Sequence, residues 1–248
     1  MKAILASVII LMFASSCSSL RTKEASEKSL ELTTNPTVDG IKVKIVFGAG
    51  ESYYYPLIVF WVEDMDGKFI ETLFAPKSIA TGIFKYAETK QGKWVAGERR
   101  RKASLPYWSH RRNVKAPDGL YLPTPENPLP DAITGATPQK SFTLHTVLPS
   151  GRKQMRVLME INQTWDWNNY WHNNKYPDDE EYKTSCQPAL IYEAIINLES
   201  DATTFTFKPI GHSHPSGETG ELFQDLSTFT SALKIADVVT LEIVRDQK

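Results

Sequence analysis

Short segments in which apolar and polar residues alternate recur along this chain, and they constrain its fold more than any other feature. Every second residue from Ile41 to Phe47 is apolar, which is the period of a strand with one buried face. Leu57–Val62 is apolar throughout, as in a strand that is buried on both faces. Asp66-Gly67 separates that run from Phe69–Phe74, so the two segments predict a hairpin.

Other segments have the same strand character, and helical spacing is found near the C-terminus alone. The further predicted strands are Ser141–Leu148, Met155–Ile161, Leu190–Leu198, Thr203–Phe207 and Val238–Val244. The predicted helix is Leu226–Ala236, with Asp225 as its N-cap. Thirteen Gly and fifteen Pro interrupt the chain often. The sequence therefore predicts an all-β fold: an antiparallel, immunoglobulin-like β-sandwich with long irregular loops and one short C-terminal helix.

The N-terminus has the composition of an export signal. Met1-Lys2 precedes the apolar run Ala3–Ala14, which is shorter than the roughly 20 residues that cross a bilayer. Small residues then precede Cys17, which resembles a bacterial lipobox with Ala14 in place of the usual Leu. The resemblance implies cleavage before Cys17 and lipidation of that cysteine. The alternative is a plain signal peptide with Cys17 lost or free.

These signals divide the chain into three parts. We expect a lipoprotein signal peptide at 1–16, a lipidated Cys17 with a flexible polar tether at 17–38, and a single β-sandwich domain at 39–248. The mature protein would be exported and held on the cell envelope by its lipid, facing the periplasm, with the outer membrane as the default location. Cys186 would then be the remaining cysteine, either buried or reactive.

The charge balance and the motifs exclude several functions. Lys and Arg total 28 against 29 Asp and Glu, so the surface lacks the positive charge of a general nucleic-acid binder. The chain has no Gly-x-Ser-x-Gly elbow, no Gly-Lys-Ser/Thr phosphate loop and no protease-type zinc motif. No catalytic residue is assigned, and whether the protein is an enzyme stays open.

A basic segment with interspersed aromatic residues is the first candidate site. Arg99–Lys102 is followed by Trp108 and by Arg111-Arg112. Guanidinium groups bind phosphate or carboxylate and also stack on rings, so Arg99, Arg100 and Trp108 are predicted contacts for a planar anionic ligand. The alternative is a solvated loop that pairs with the acidic run Asp178–Glu181.

The second candidate is a segment with three tryptophans in seven residues. Trp165, Trp167 and Trp171 stand among Asn, Asp and Tyr residues. Such rings stack on sugar faces or on an isoalloxazine ring, while the polar groups bind hydroxyls. The alternative is that these side chains close one end of the sandwich, with their N–H groups bonded locally.

The third candidate is a histidine pair in a loop bounded by glycines. His212 and His214 would point the same way on a strand and could share a metal ion, although no third ligand has a diagnostic spacing. The alternative is a loop in which the imidazoles bond to the backbone.

The fourth candidate is the run Asp131-Ala132-Ile133-Thr134-Gly135-Ala136-Thr137. It resembles the Asp-x-x-Ser/Thr-Gly-Ala-Thr motif of exported carrier domains, to which ApbE-type flavin transferases attach FMN by a phosphoester. The resemblance implies covalent FMN at Thr137, with Asp131, Thr134, Gly135 and Ala136 as its recognition frame. A helix usually follows the motif in the carriers, whereas Pro138 here leads into a strand-like run. The alternative is a turn whose Thr and Asp side chains bond the local backbone.

The chain from Ile41 to Val244 also resembles a family of uncharacterised predicted periplasmic proteins that are often encoded beside flavin-transferase and membrane flavoreductase genes. The stretches that carry the resemblance are Ser104–Trp108, Asp131–Thr137, Trp165–Trp167 with Trp171, Cys186–Leu190 and Gly211–Gly217. It implies an exported β-rich domain whose partners are a flavin transferase and a membrane redox protein. The first hypothesis is an accessory or flavin-carrying lipoprotein of an extracytoplasmic redox system. The second is a non-catalytic envelope module that binds a glycan or another ligand on the Trp165–Trp171 segment.

Overall fold

The fold is described from a computed structural model, and the description covers residues 30–35 and 39–245. The predicted signal peptide and Cys17 lie outside the described residues. The strands are β1 Leu30–Thr33, β2 Gly40–Ala49, β3 Leu57–Glu63, β4 Phe69–Pro76, β5 Ile83–Lys90, β6 Lys93–Glu98, β7 Thr134–Gly135, β8 Phe142–Pro149, β9 Gln154–Asn162, β10 Leu190–Asn197, β11 Thr204–Thr206, β12 Lys208–His212 and β13 Ala236–Ile243. The α-helices are α1 Lys77–Thr81, α2 Pro106–Arg112 and α3 Glu180–Ser185. In the described part of the chain, none of the helices has the length and apolar character needed to cross a bilayer.

Two sheets form a β-sandwich, which confirms the predicted fold class. The first sheet has the order β1-β8-β2-β13-β11, and the second has the order β12-β10-β9-β3-β4-β7. Strands β5 and β6 form a separate two-stranded hairpin. The edge pairs β1/β8 and β4/β7 are parallel, and they depart from the purely antiparallel, immunoglobulin-like arrangement that the sequence predicts.

The main core lies between the two sheets. Ile45 and Phe142 of the first sheet are fully buried, as are Phe60 and Val157 of the second. Phe142 packs edge-on to Phe60 across the interface, with ring centroids 6.5 Å apart. The alternating residues of β2 and β8 thus supply one wall of the core, because alternate side chains point to the same face.

A second core covers the outer face of the six-stranded sheet. Trp61 on β3 and Leu158 on β9 are buried there against Ile79, Leu105 and Trp108 from α1, α2 and the intervening loop. Strand β3 is therefore buried on both faces, as its continuous apolar sequence predicts. The long segment 98–140 owes much of its structure to this packing, because its apolar side chains cover the sheet.

The predicted helix at 226–236 is wrong. A short 3-10 helix covers Ser231–Lys234, and strand β13 already begins at Ala236. Asp225 accepts the Ser227 N–H at 2.9 Å, and the Gln187 side chain accepts the N–H of Thr230 at 2.9 Å. Because side chains bind these backbone donors, the segment packs its apolar residues on the core without a regular helix.

Part of the predicted tether is also ordered. Leu30–Thr33, within 17–38, forms strand β1 parallel to β8, and its two leucines pack against the main core. The hydroxyl of Thr34 donates to that of Thr146 at 2.9 Å in a buried position. Leu30 and Leu32 are two residues apart, so their side chains lie on the same face of the strand. Their packing on the core holds this edge strand in place.

Candidate functional site

A groove lies at the end of the second sheet, where Leu57 at the start of β3 pairs with Asn162 at the end of β9. The β5–β6 hairpin forms its other side, and its volume is about 460 Å³. Its lining residues are Tyr55, Leu57, Phe84, Tyr86, Ala87, Trp94, Arg99, Arg101, Ser104, Asn162, Thr164, Trp165 and Thr184. We refer to this feature as the aromatic groove. Its size falls in the range that holds small organic ligands.

Exposed rings dominate the walls of the aromatic groove. Tyr55, Tyr86, Trp94 and Trp165 are each more than half exposed. Trp165 is edge-on to Trp167, with ring centroids 6.3 Å apart and an interplanar angle of 88°. A neighbouring ring therefore contacts Trp165, while more than half of the Trp165 side chain stays exposed for stacking.

Two of the groove rings stand on backbone in the left-handed region. Tyr55 has a φ of 52° and Trp165 a φ of 62°, which bulky side chains adopt rarely. The Trp165 N–H donates to the Thr184 carbonyl at 2.9 Å, which holds this segment against α3. Such backbone is enriched at functional sites, and two of the five described non-glycine residues with positive φ line this groove.

Arg101 supplies a positive charge in the groove wall. Its side chain is 16% exposed, and its Nη2 donates to the Glu181 carbonyl at 2.9 Å. Its Nε lies 3.7 Å from Glu181 Oε2, too far for a hydrogen bond. Within the described ranges its remaining N–H groups bond to no protein atom, and they are not enclosed. They are available to an anion in the groove.

Burial and neighbouring charges act on the pKa of Arg101 in opposite directions. Burial lowers the pKa of Arg101, the charge of Glu181 raises it, and the like charge of Arg99 lowers it. Arg99 is exposed and also lines the groove. Two guanidinium groups thus lie close enough to interact at one site, and a bound anion would relieve their repulsion.

Arg100, a predicted ligand contact, is instead a structural residue. Its side chain is 7% exposed, and it donates to Asp118 and to the Leu122 carbonyl at 3.1 Å. This ion pair folds the loop after β6 back on itself. In the predicted alternative, the basic segment pairs with the acidic run. Arg101 makes such a contact with Glu181, whereas Arg100 does not contact the acidic run.

Trp108 and Trp171, two further predicted contacts, do not line the aromatic groove. Trp108 is fully buried in the second core, where its Nε1 donates to the Thr72 hydroxyl at 3.0 Å. Trp171 is 6% exposed, and its Nε1 donates to the Thr228 hydroxyl at 3.0 Å. Both rings are part of the core because their N–H groups find partners there. Of the tryptophan segment, Trp165 lines the groove and Trp167 lies exposed beside it.

The Asp131–Thr137 segment lies at the edge of the second sheet and outside the groove lining. Asp131 begins a 3-10 helix and Thr134-Gly135 is strand β7, which pairs with the end of β4. Ala136 is exposed and Thr137 is half-buried. The Thr134 hydroxyl donates to the Asp131 carbonyl at 3.2 Å, as the turn alternative predicts. Loop 51–56 links the Asp131–Thr137 segment to the aromatic groove. The Tyr53 hydroxyl donates to the Pro138 carbonyl at 2.8 Å, just after the segment, and Tyr55 lines the groove.

The histidine pair is held by local contacts. His212 is buried, its Nδ1 lies 2.8 Å from the Ser213 carbonyl, and its ring stacks on Phe223. His214 Nδ1 accepts the Ser216 N–H at 3.2 Å. Within residues 30–35 and 39–245, no three His, Cys, Asp or Glu side chains are grouped so that they could hold a metal ion. The pair lacks a third ligand in this arrangement.

Cys186 is a buried free thiol. Burial raises its pKa to about 11, and the charge of Asp166 acts in the same direction. The thiol is thus protonated near neutral pH, and this favours the buried alternative over a reactive cysteine.

The sequence patterns missed the hairpin that completes the groove. Strands β5 and β6 are mostly exposed, so they lack the apolar alternation by which the other strands were recognised. The signal that identifies them is the turn Gln91-Gly92, where both residues have positive φ, as in a two-residue hairpin loop. Tyr86 and Trp94 reach the groove through this hairpin.

Comparisons of the chain with known protein families, with curated proteins and with solved structures gave no match. The assignment of a function therefore depends on the chemistry of the aromatic groove.

Proposed function

We propose that the protein is an exported accessory component of an extracytoplasmic redox system, and that its aromatic groove binds flavin mononucleotide. The observation that carries the proposal is the presence of open ring faces and of the available guanidinium N–H groups of Arg101 in one groove. A planar ring system that carries a phosphate fits both features, because rings stack on rings and guanidinium binds phosphate.

The residues have separate roles in this proposal. Trp165 and Trp94 offer faces to the isoalloxazine ring, and Arg101 with Arg99 binds the phosphate. Bound flavin would supply the electron transfer, and the protein would supply its position and electrostatic surroundings. No catalytic residue is assigned to the chain.

The proposal is tested by titrating the mature protein with FMN and with riboflavin, while flavin fluorescence is followed. We expect saturable FMN binding and at least tenfold weaker riboflavin binding, because riboflavin lacks the phosphate that Arg101 would bind. The variant Arg101→Gln should reduce FMN affinity about tenfold and leave riboflavin affinity unchanged. The matched control Arg152→Gln removes the same charge at an exposed position outside the groove lining and should change neither.

The ring contact has its own variant. Trp165→Gly removes the ring, and glycine adopts a φ of 62° without strain. It should lower the affinity for both flavins roughly tenfold, since stacking on an aromatic side chain contributes on the order of 1–3 kcal/mol. Equal affinity for FMN and riboflavin, or no saturable change with either, would contradict the proposal.

Covalent attachment of FMN at Thr137 is a separate form of the proposal. Supporting it are the resemblance of Asp131–Thr137 to the carrier motif and the partial exposure of Thr137. Flavin that stays with the protein after denaturation, as measured by intact mass, would establish this form. Flavin that is released on denaturation would favour the groove.

A glycan-binding module is the second candidate, and the exposed faces of Trp94, Trp165 and Tyr86 favour it. Neutral sugars would stack on these rings without needing Arg101. Saturable binding of a neutral oligosaccharide that is unchanged in Arg101→Gln and lost in Trp165→Gly would select this candidate.

A further inference from the structure

Three aromatic rings lie within 6 Å of the ammonium group of Lys175. Its Nζ lies 3.2 Å from the ring centroid of Tyr170, 4.7 Å from that of Trp171 and 5.9 Å from that of Tyr176. All three distances are within the range of cation–π attraction. We call these three rings the aromatic cage; none of them lines the aromatic groove.

Lys175 has carboxylates close in sequence and yet contacts the rings. The acidic run Asp178–Glu181 begins three residues later. In the part of the chain that the structure describes, no carboxylate oxygen is within 4.0 Å of the Lys175 ammonium. The rings are therefore the partners of this cation. Such an arrangement has the form of a cation site that is occupied by a side chain of the same protein.

Each ring of the aromatic cage also packs on another aromatic ring. Tyr170 is edge-on to Trp171, with ring centroids 5.0 Å apart, and Tyr176 is edge-on to Tyr182 at 4.7 Å. Trp171 is buried, and its N–H is bonded to Thr228. Trp171 and Tyr176 thus have ring contacts outside the aromatic cage, whereas Tyr170 packs on Trp171 of the cage itself.

The aromatic cage is open to solvent on one side, and carboxylate groups lie beside this opening. Tyr170 is 50% exposed and Tyr176 is 39% exposed. A concavity of about 620 Å³ lies beside Lys175 and Tyr176. The carboxylates of Asp178–Glu181 line it, together with Lys102, whose charge is paired with Glu218. Negative charge around an aromatic cage raises the local concentration of cations.

We propose that the aromatic cage is a binding site for a small organic cation of the trimethylammonium class, and that Lys175 occupies it until such a ligand displaces the lysine. Rings favour quaternary ammonium ions because these are less strongly hydrated than a primary ammonium and present apolar methyl groups. The tethered lysine acts as a competitor at high effective concentration, and it lowers the apparent affinity for the external cation. This site is independent of the proposed flavin function.

The test uses the mature protein and choline as the probe, with the Trp171 indole N–H followed by NMR. Lys175→Gln should bind choline saturably and at least about tenfold more tightly than the wild type. Lys183→Gln is the matched control, because it removes the same charge from the same acidic region and leaves Lys175 in the cage. It should bind choline as the wild type does.

Two further measurements separate the cage from general electrostatic attraction. 3,3-Dimethylbutanol has the shape of choline without its charge, and it should not bind Lys175→Gln measurably. Adding Tyr170→Leu to Lys175→Gln should abolish choline binding, whereas adding Tyr170→Phe should retain it because the ring remains. If Lys175→Gln is not folded by circular dichroism, Lys175→Met keeps the length of the side chain and takes its place.

Several results would overturn the proposal. They are the absence of saturable choline binding in a folded Lys175 variant, equal binding by Lys175→Gln and Lys183→Gln, and equal binding of choline and its neutral analogue. Retention of choline binding in the Tyr170→Leu double variant would also overturn it, because the ammonium contact is shortest at that ring.

Discussion

The backbone N–H of Trp108 donates to the carboxyl group of Glu160 at 2.7 Å, deep in the second core. The other oxygen of Glu160 accepts the Tyr107 N–H at 3.1 Å. The side chain therefore binds free donors of the first turn of α2, which covers the sheet at this point. Burial raises the pKa of Glu160 to about 8, although the two N–H groups act in the opposite direction.

This raised pKa predicts a stability that depends on pH. Between the ordinary glutamate pKa of about 4.5 and the folded value of about 8, the folded protein holds a proton that the unfolded chain has lost. The contribution of Glu160 to the free energy of unfolding is thus present below pH 4.5 and decreases as the pH rises to 8. The free energy of unfolding of the wild type, relative to that of Glu160→Gln, should fall by on the order of 1 kcal/mol per pH unit across this window.

Urea denaturation of both proteins at pH 5, 6, 7 and 8 measures this difference. Glu199→Gln, at an exposed ion pair with Lys153, is the control and should keep a constant difference from the wild type. If the difference in free energy of unfolding between the wild type and Glu160→Gln stays constant with pH, Glu160 does not titrate in this range and the prediction is wrong.

Glu63 is predicted to be a major contributor to stability. Its carboxylate is fully buried and binds Arg111 at 2.8 Å and Arg156 at 3.0 Å. Glu63→Gln leaves Arg111 without a carboxylate partner and leaves Arg156 paired with Glu193 alone, so it should lower the free energy of unfolding by about 3 kcal/mol. Glu199→Gln breaks an exposed pair and should cost less than about 1 kcal/mol. Chemical denaturation checks both values, and equal costs would contradict the role of burial.

Gly135 in the carrier-like motif is predicted to be required for packing. A Cβ atom at this position would lie 2.9 Å from Cε2 of Phe74, whose side chain is fully buried. Gly135→Ala should therefore lower the free energy of unfolding by about 1–3 kcal/mol. Ala136→Ser, at the exposed neighbouring position, should change it by less than about 0.5 kcal/mol. Thermal and urea denaturation measure both, and an unchanged Gly135→Ala variant would contradict this packing role.

Thr137 is predicted to affect flavin attachment without affecting the fold. Co-expression with an ApbE-type flavin transferase should add the mass of one FMN to the wild type, if this residue is the acceptor. Thr137→Ala should abolish that mass and leave the melting temperature within about 2 °C, since the side chain is half-buried and at a sheet edge. Thr206→Ala removes an exposed hydroxyl from the edge strand β11, outside the motif, and is the control. Thr137→Ala with full flavin loading would exclude Thr137 as the acceptor.

The exposure of aromatic residues could not be predicted from local sequence. Trp165 and Trp171 lie in the same short segment, and yet Trp165 lines the groove and Trp171 is part of the core. What separates them is a partner distant in sequence, because Thr228 accepts the N–H of Trp171 and allows its burial. Arg100 and Arg101 differ in the same way, through Asp118 and Glu181.

The amino-acid sequence by itself determined the longer strands of the sandwich, whereas the short strands β1, β7 and β12 were not predicted. The alternation in β2 and β8 and the continuous apolar run in β3 reflect which faces are buried, and that information is local because strand side chains alternate with a period of two. The tertiary structure alone decided the candidate sites. It brings the β5–β6 hairpin, Arg101 and Trp165 together in one groove. These residues are far apart in the chain, so their contacts produce no repeating pattern in the local sequence.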